Sequence, residues 1–199
     1  MTGAEATSPR ERYRIQMRAA IKEQAWEQIA AAGASALSLN AIAKSLGMTG
    51  PALFRYFANR DELITELIRD AYRSLADTVR AAADSGAGIS GLAHTVRDWA
   101  LSDPQRYFLI YGTPVPGYRA PAETTVLSDE ILTVLLEAHS DLPPSPTGHP
   151  ATTLDRALIF WTRVHGVLSL ELAGHFDGMG FDPAQLFTAE VDRLTSPTG

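Results

Sequence analysis

The sequence predicts an all-α fold in two parts: an N-terminal helix-turn-helix domain over residues 10–60 and a larger helical body over residues 61–199. Three observations carry that expectation. Apolar residues recur at spacings of three and four along most of the chain, and no useful length alternates with period two. Residues 38–60 compress two helix starts and a glycine turn into one short stretch. Positive charge gathers at the same end: residues 1–60 hold eight Arg/Lys against four Asp/Glu, and residues 61–199 hold nine against nineteen.

The 199 residues are long enough to bury a real core, and a hydrophobic fraction of 45% is ordinary for a globular chain. Cysteine is absent, which excludes disulfides, a thiolate zinc site and a Cys nucleophile together, and suits a reducing compartment. The opening MTGAEATSPRERYRIQ lacks the apolar core of a signal peptide, and no stretch approaches a membrane span. A cytoplasmic protein without a membrane partner is expected. The net charge of −6 argues against a general nucleic-acid binder, so only the basic N-terminal part should meet a polyanion.

The elements follow in order. Residues 1–9 are small, polar and expected to be disordered. A first helix spans residues 10–32 on the stripe Met17, Ile21, Ala25, Ile29, Ala32, and Gly33 stops it. Ser38 then stands as N-cap before Leu39, Ile42, Ala43 and Leu46. Gly47 closes that helix in the left-handed region. Thr49 offers a second N-cap, Pro51 fits the first turn, and Leu53 and Phe57 form a buried stripe, so residues 50–57 read as a second helix. Asn59 or Asp61 caps a long linking helix to about residue 83, with Leu63, Leu67, Ala71, Leu75 and Val79 apolar. Helices over residues 90–101 and from Asp103-Pro104 onward precede an irregular GTPVPGYRAP, and a further helix covers residues 123–139. The proline-rich DLPPSPTGHP is a loop. Residues 154–172 carry a near-heptad seam (Leu154, Leu158, Trp161, His165, Leu168, Leu172) and a second apolar face (Ile159, Phe160, Val164, Val167), so this helix needs cover on two sides. Asp182-Pro183 opens the last helix.

The run IAKSLGMTGPALFRYFANRDEL (42–63) resembles the helix-turn-helix signature of TetR-family transcriptional regulators at nearly every fixed place, and the likeness extends over essentially the whole chain. Trp161, His165 and Gly166 resemble the W-x-x-x-H-G pattern of one subgroup with its own C-terminal domain type. The resemblance implies a homodimer formed through the last two helices, a small-molecule effector cavity in the body, and release from a double-stranded DNA operator when that cavity fills. It implies a repressor; an effector-independent activator or architectural dimer is the alternative. No cofactor is implied. No phosphate loop, H-E-x-x-H or nucleophile elbow appears, so an enzyme is not expected.

The reading helix, eight residues or roughly 12 Å long, matches a major groove about 12 Å wide. Gly50, Pro51 and Ala52 bring no side-chain donor and can read only apolar features such as a thymine methyl. Arg55 is its only long donor. Thr49, Tyr56, Lys44 and Arg60 are expected to hold phosphates and so to position the reader. Phe54, where the family often has Tyr, reads equally as packing or contact, and DNA shape should supply part of operator choice. Arg10, Arg12 and Arg14 either reach the backbone or minor groove or stay solvated. The resemblance places an effector pocket among Trp99, Tyr107, Phe108, Tyr111, Trp161 and His165, against a packed aromatic core as the plain alternative. His165 reads as ligand contact, pH sensor or neutral core histidine, and Gly166 as a site of close helix approach. Glu171 and His175 are expected to pair with each other rather than to bind metal.

Overall fold

Capping explains where the helices begin in the computed structural model, which describes residues 8–140 and 152–195. Ser8 accepts from the Glu11 N–H at 3.2 Å and Pro9 follows it, so α1 (Pro9–Ala32) starts inside the stretch expected to be disordered. Residues 1–7 and the loop expected at 141–150 lie outside the described residues. Gly33 ends α1 at φ 77°, and a 3-10 turn over Ala34–Ala36, without a periodic signal of its own, leads to α2 (Leu39–Ser45). The Ser38 hydroxyl accepts from the Ala41 N–H at 3.3 Å, the expected N-cap. At the other end Gly47 takes φ 64° while Met48 N–H donates to Ala43 and Gly47 N–H to Lys44, the paired closure that left-handed glycine allows.

The helix that follows departs from expectation. α3 is Gly50–Leu53 alone, and residues 54–56 continue as a turn in which Arg55 and Tyr56 donate three residues back, to Ala52 and Leu53. Arg55 and Tyr56 thus close a tighter turn in place of further α-helix. Asn59, not Asp61, caps α4 (Arg60–Asp84): its Oδ1 accepts from the Glu62 N–H at 2.8 Å, while the Glu62 carboxylate accepts from Ala58 N–H. α5 (Ile89–Ser102), α6 (Pro104–Tyr111), α7 (Glu123–Ser140), α8 (Thr153–Leu172) and α9 (Pro183–Thr195) complete the described chain, which contains no strand. Asp103 caps α6 by accepting from the Arg106 N–H, Thr152 and Asp155 form a capping box on α8, and Asp182 accepts from the Ala184 N–H before α9.

Two compact units result, dividing at Ile68/Arg69 within α4, with Thr113–Ala120 joining the first. The core of the first unit is Ile21, Ala25, Ile29, Ile42, Leu53, Phe57, Leu63 and Leu67. Val115 is buried, and the Tyr118 hydroxyl lies 2.9 Å from Thr65 Oγ1 on α4. In the second unit α5 packs against α6, α7, α8 and α9, and α8 lies against both α7 and α9. Arg97 on α5 grips Glu171 on α8 with two nitrogens, one at 3.1 Å, so Glu171 pairs with Arg97 and not with His175. Among the described residues no group of acids and histidines is arranged to hold a metal, and no helix is long and apolar enough to cross a membrane.

The inward stripe of α8 is Ala157, Phe160, Val164 and Leu168, all buried. Leu154 and Leu158, the opening positions of the expected heptad seam, are instead exposed, as are Ile159 and Leu170. Spacing reveals two apolar stripes, but the inner face draws on both: Phe160 and Val164 come from one and Leu168 from the other, while Ile159 is exposed.

Candidate DNA-binding surface and aromatic cluster

The turn that presents Arg55 is held from below. Arg18 on α1 donates to the Tyr56 carbonyl, stacks its guanidinium 4.1 Å from the Phe57 ring centre, and pairs with Glu66 at 3.2 Å. Phe57 and Leu53 are buried, as expected. Residues 54 and 55 therefore face outward: both side chains are exposed, and Arg55 makes no side-chain hydrogen bond or ion pair among the described residues. Phe54 is exposed, so its ring is not part of the core.

Thr49 and Lys44 are exposed, and Ala52, Gly50 and Tyr56 are half-buried, Pro51 exposed. Thr49 caps α3 with its backbone carbonyl only; its hydroxyl makes no capping bond and is left for another partner. Arg55 and Tyr56 also line a groove of about 880 Å³ that α1 completes with Arg10, Tyr13 and Arg14. Arg10 and Arg14, one helical turn apart, thus share a surface with Arg55, while Arg12 does not line it.

Arg60 differs from its expected phosphate role. Its Nε donates to the Leu37 carbonyl at 3.1 Å, and Nη2 donates to Ala34 and Ser35 at 2.8 and 3.2 Å. It clamps the 3-10 turn to the start of α4, a fold role that the linear spacing of 23–26 residues conceals. Arg60→Ala should therefore lower the melting temperature through a loss of about 1–2 kcal/mol, because three carbonyls lose a charged donor. Thermal unfolding followed by circular dichroism measures it; an unchanged melting temperature would return Arg60 to the DNA surface.

In the second unit the rings of Tyr107, Phe108, Tyr111, Trp161 and His165 gather into one cluster, with Tyr72 of α4 added edge-on to Tyr111. Tyr72 carried no sequence signal beyond its place beside an apolar stripe. Trp99 does not join the ring contacts: it is buried in the core and donates its indole N–H to Ser74 at 3.1 Å. His165 Nδ1 lies 2.9 Å from the Tyr107 hydroxyl, and no backbone carbonyl takes that place. Gly166 beside it is exposed, and a Cβ there would meet nothing within 4 Å among the described residues.

Burial pushes the His165 pKa down to about 4, and it lowers His139 in the same sense, first through desolvation. The folded state thus prefers neutral imidazoles, so each contributes fully above the unfolded value near 6.5 and loses that contribution as pH falls, for His165 through about 4. For His165 that loss reaches about 3 kcal/mol. Denaturation midpoints should drop between pH 6.5 and 4, and His165→Phe should flatten much of the slope. A wild-type midpoint constant over that range would contradict the burial.

A capped helix-turn-helix with an unpaired outward arginine, preceding an all-helical second unit, is the build of a DNA-binding transcriptional regulator. Comparison with known proteins gives its family. Residues 21–67 match the family model of bacterial regulatory proteins of the tetR family, and residues 89–194 match the tetracyclin repressor-like C-terminal domain. The chain belongs to the TetR family, whose members are regulators and not enzymes. The HTH-type transcriptional regulator Rv1816 of Mycobacterium tuberculosis is 35% identical over 216 aligned positions, covering 92% of each chain. The crystal structure of the regulatory protein SCO4313 has 62% identity and a TM-score of 0.87, covering 94% of this chain and 98% of that one. AibR, solved with isovaleryl coenzyme A and operator DNA, shares the fold at 17% identity and a TM-score of 0.67, covering 91% and 99%.

Proposed function

We propose that this TetR-family chain is a repressor that binds a pseudo-palindromic operator as a homodimer and is released by a small-molecule effector. In this reading residues 10–60 form the DNA-binding domain and residues 61–199 the regulatory and dimerisation domain. The observation that carries it is the exposed, unpaired Arg55 on a turn fixed by Arg18 and Phe57. Such a side chain can take a guanine edge or a phosphate, while Thr49, Lys44 and Tyr56 hold backbone. Phe54 adds an apolar contact, and the Gly50-Pro51-Ala52 backbone can come close to the bases. Arg10 and Arg14 extend the same positive surface to the neighbouring phosphates.

Dimerisation is supported by the outer face of α8 and its groove with α9. Thr162, Gly166, Leu170, Phe176 and Leu186 line a groove of about 420 Å³, and Leu158 is exposed nearby on the same helix. A glycine in mid-helix with open space above it suits the crossing point of a second copy's helix. Effector response is supported by the aromatic cluster and by the chain that leaves it. Tyr111 is followed by Gly112 and then by the Thr113–Ala120 segment, whose Tyr118 meets Thr65 on α4. The effector must bind the DNA-incompetent state more tightly, or it cannot release the operator. AibR, with a coenzyme A thioester and operator both in its structure, illustrates the fold serving two ligands.

Selection of bound fragments from genomic DNA by the purified protein tests the proposal. A shared inverted repeat is expected, with affinity falling steeply with salt. Arg55→Ala should weaken binding to the selected site by about 1–3 kcal/mol in a fluorescence-anisotropy titration. No preference for any palindrome over random DNA would sink the idea.

A further inference from the structure

We propose that the aromatic cluster of the second unit binds an uncharged, flat molecule through a carbonyl-type oxygen that accepts a hydrogen bond from His165 Nε2. The inference rests on the reading above that the body takes an effector, and it names that effector's chemistry.

His165 Nδ1 is engaged by the Tyr107 hydroxyl. We assign the Tyr107 hydroxyl, which also meets the Ser169 side chain, as donor to Nδ1, which puts the imidazole proton on Nε2. That Nε2 is buried and has no hydrogen-bond partner in the fold. Buried donors are nearly always satisfied, so one without a partner beside an aromatic cluster marks a place where a ligand atom belongs. Aromatic rings wall the imidazole. Trp161 and Tyr111 stand 4.1 and 4.3 Å from it between ring centres, both inclined to it, and Tyr107 stacks at 5.5 Å. These surfaces suit a flat apolar body.

Charge is disfavoured throughout. Burial drives His165 to its neutral form, pushes the Tyr107 hydroxyl up to about 12 and raises Tyr111 further. The three groups are uncharged at neutral pH, so the cluster has no ion to pair with a charged ligand. The unpartnered Nε2–H, the uncharged neighbours and the ring walls together define the class: an aromatic or otherwise planar ketone, ester, amide or quinone.

Acetophenone and ethylbenzene, alike in shape but differing in the acceptor, are the probes, with benzoate and benzylamine as charged counterparts. Binding is followed by nitrogen-15 and proton resonances of the histidine side chains in the full-length protein. Acetophenone should bind about tenfold more tightly than ethylbenzene and shift His165 Nε2, with both charged probes weaker than acetophenone. His165→Phe should erase the preference; the Nε2 shift in the wild type decides the matter even where that variant does not fold. Equal binding of the two neutral probes, tighter binding of a charged one, no binding by acetophenone, or a preference that survives in His165→Phe would overturn the proposal. Operator binding in the same samples is read separately, so a protein that recognises no operator overturns the repressor reading and leaves this result standing.

Discussion

Phe57→Ala should unfold the first unit under conditions that the native chain withstands. The ring is fully buried, and it is the surface on which Arg18 rests 4.1 Å from the ring centre. Truncation removes the apolar area, leaves a cavity in the core of the first unit, and strips the Arg18 guanidinium of its platform. The expected loss is about 3–5 kcal/mol. That is a large share of the roughly 5–15 kcal/mol that holds a domain together. Operator binding should vanish with it, because the turn carrying Arg55 hangs from Phe57 and from the Arg18 bond to the Tyr56 carbonyl. Phe54→Ala, three residues earlier, provides the contrast. Its ring is 46% exposed, so stability should change by no more than about 0.5 kcal/mol while operator affinity falls. Urea unfolding paired with anisotropy titration separates the two, and equal destabilisation by both variants would contradict the division into core and contact.

Gly166→Arg should separate folding from function. Within a single chain the substitution meets no obstacle, since a Cβ at Gly166 has nothing within 4 Å. Replacing a mid-helix glycine should even stabilise the isolated chain, by about 0.5–1 kcal/mol. In a dimer that brings a second helix against this face, the same side chain collides and its charge loses water. Sedimentation should therefore show a folded monomer, and affinity for the palindrome should fall by orders of magnitude as two half-sites cease to be bound together. A variant that remains dimeric would move the interface away from this face of α8.

The capping residues made most of the fold readable. Ser38, Gly47, Asp103 with Pro104, and Asp182 mark helix boundaries through bonds made within a few residues, and such local chemistry is written in order along the chain. The buried stripe of Leu53 and Phe57 was readable for the same reason. Long-range partnerships were not. Arg60 turns from phosphate toward the carbonyls of residues 34–37, and Glu171 turns from His175 to Arg97, 74 residues away. Both choices depend on which segments the fold brings together, and each leaves no periodic trace. The aromatic cluster lies between these cases. Tyr107, Tyr111, Trp161 and His165 do meet, but Trp99 binds Ser74 instead and Tyr72 joins from another helix. Aromatic content predicts that rings will be buried; only packing decides which of them touch. On α8, two apolar stripes are visible in the spacing, and the inner face takes Phe160 and Val164 from one and Leu168 from the other, a choice made by the helices that cover it.

The central claim is that two copies of this chain place two Arg55-bearing turns on one palindromic site. Analytical ultracentrifugation of the protein with the fragment selected from genomic DNA, beside the same fragment with one half-site scrambled, tests it most directly. Two chains per intact palindrome are predicted, with affinity for the scrambled fragment lower by at least about a hundredfold at physiological salt. One chain per fragment, or equal affinity for the intact and scrambled sites, would contradict it.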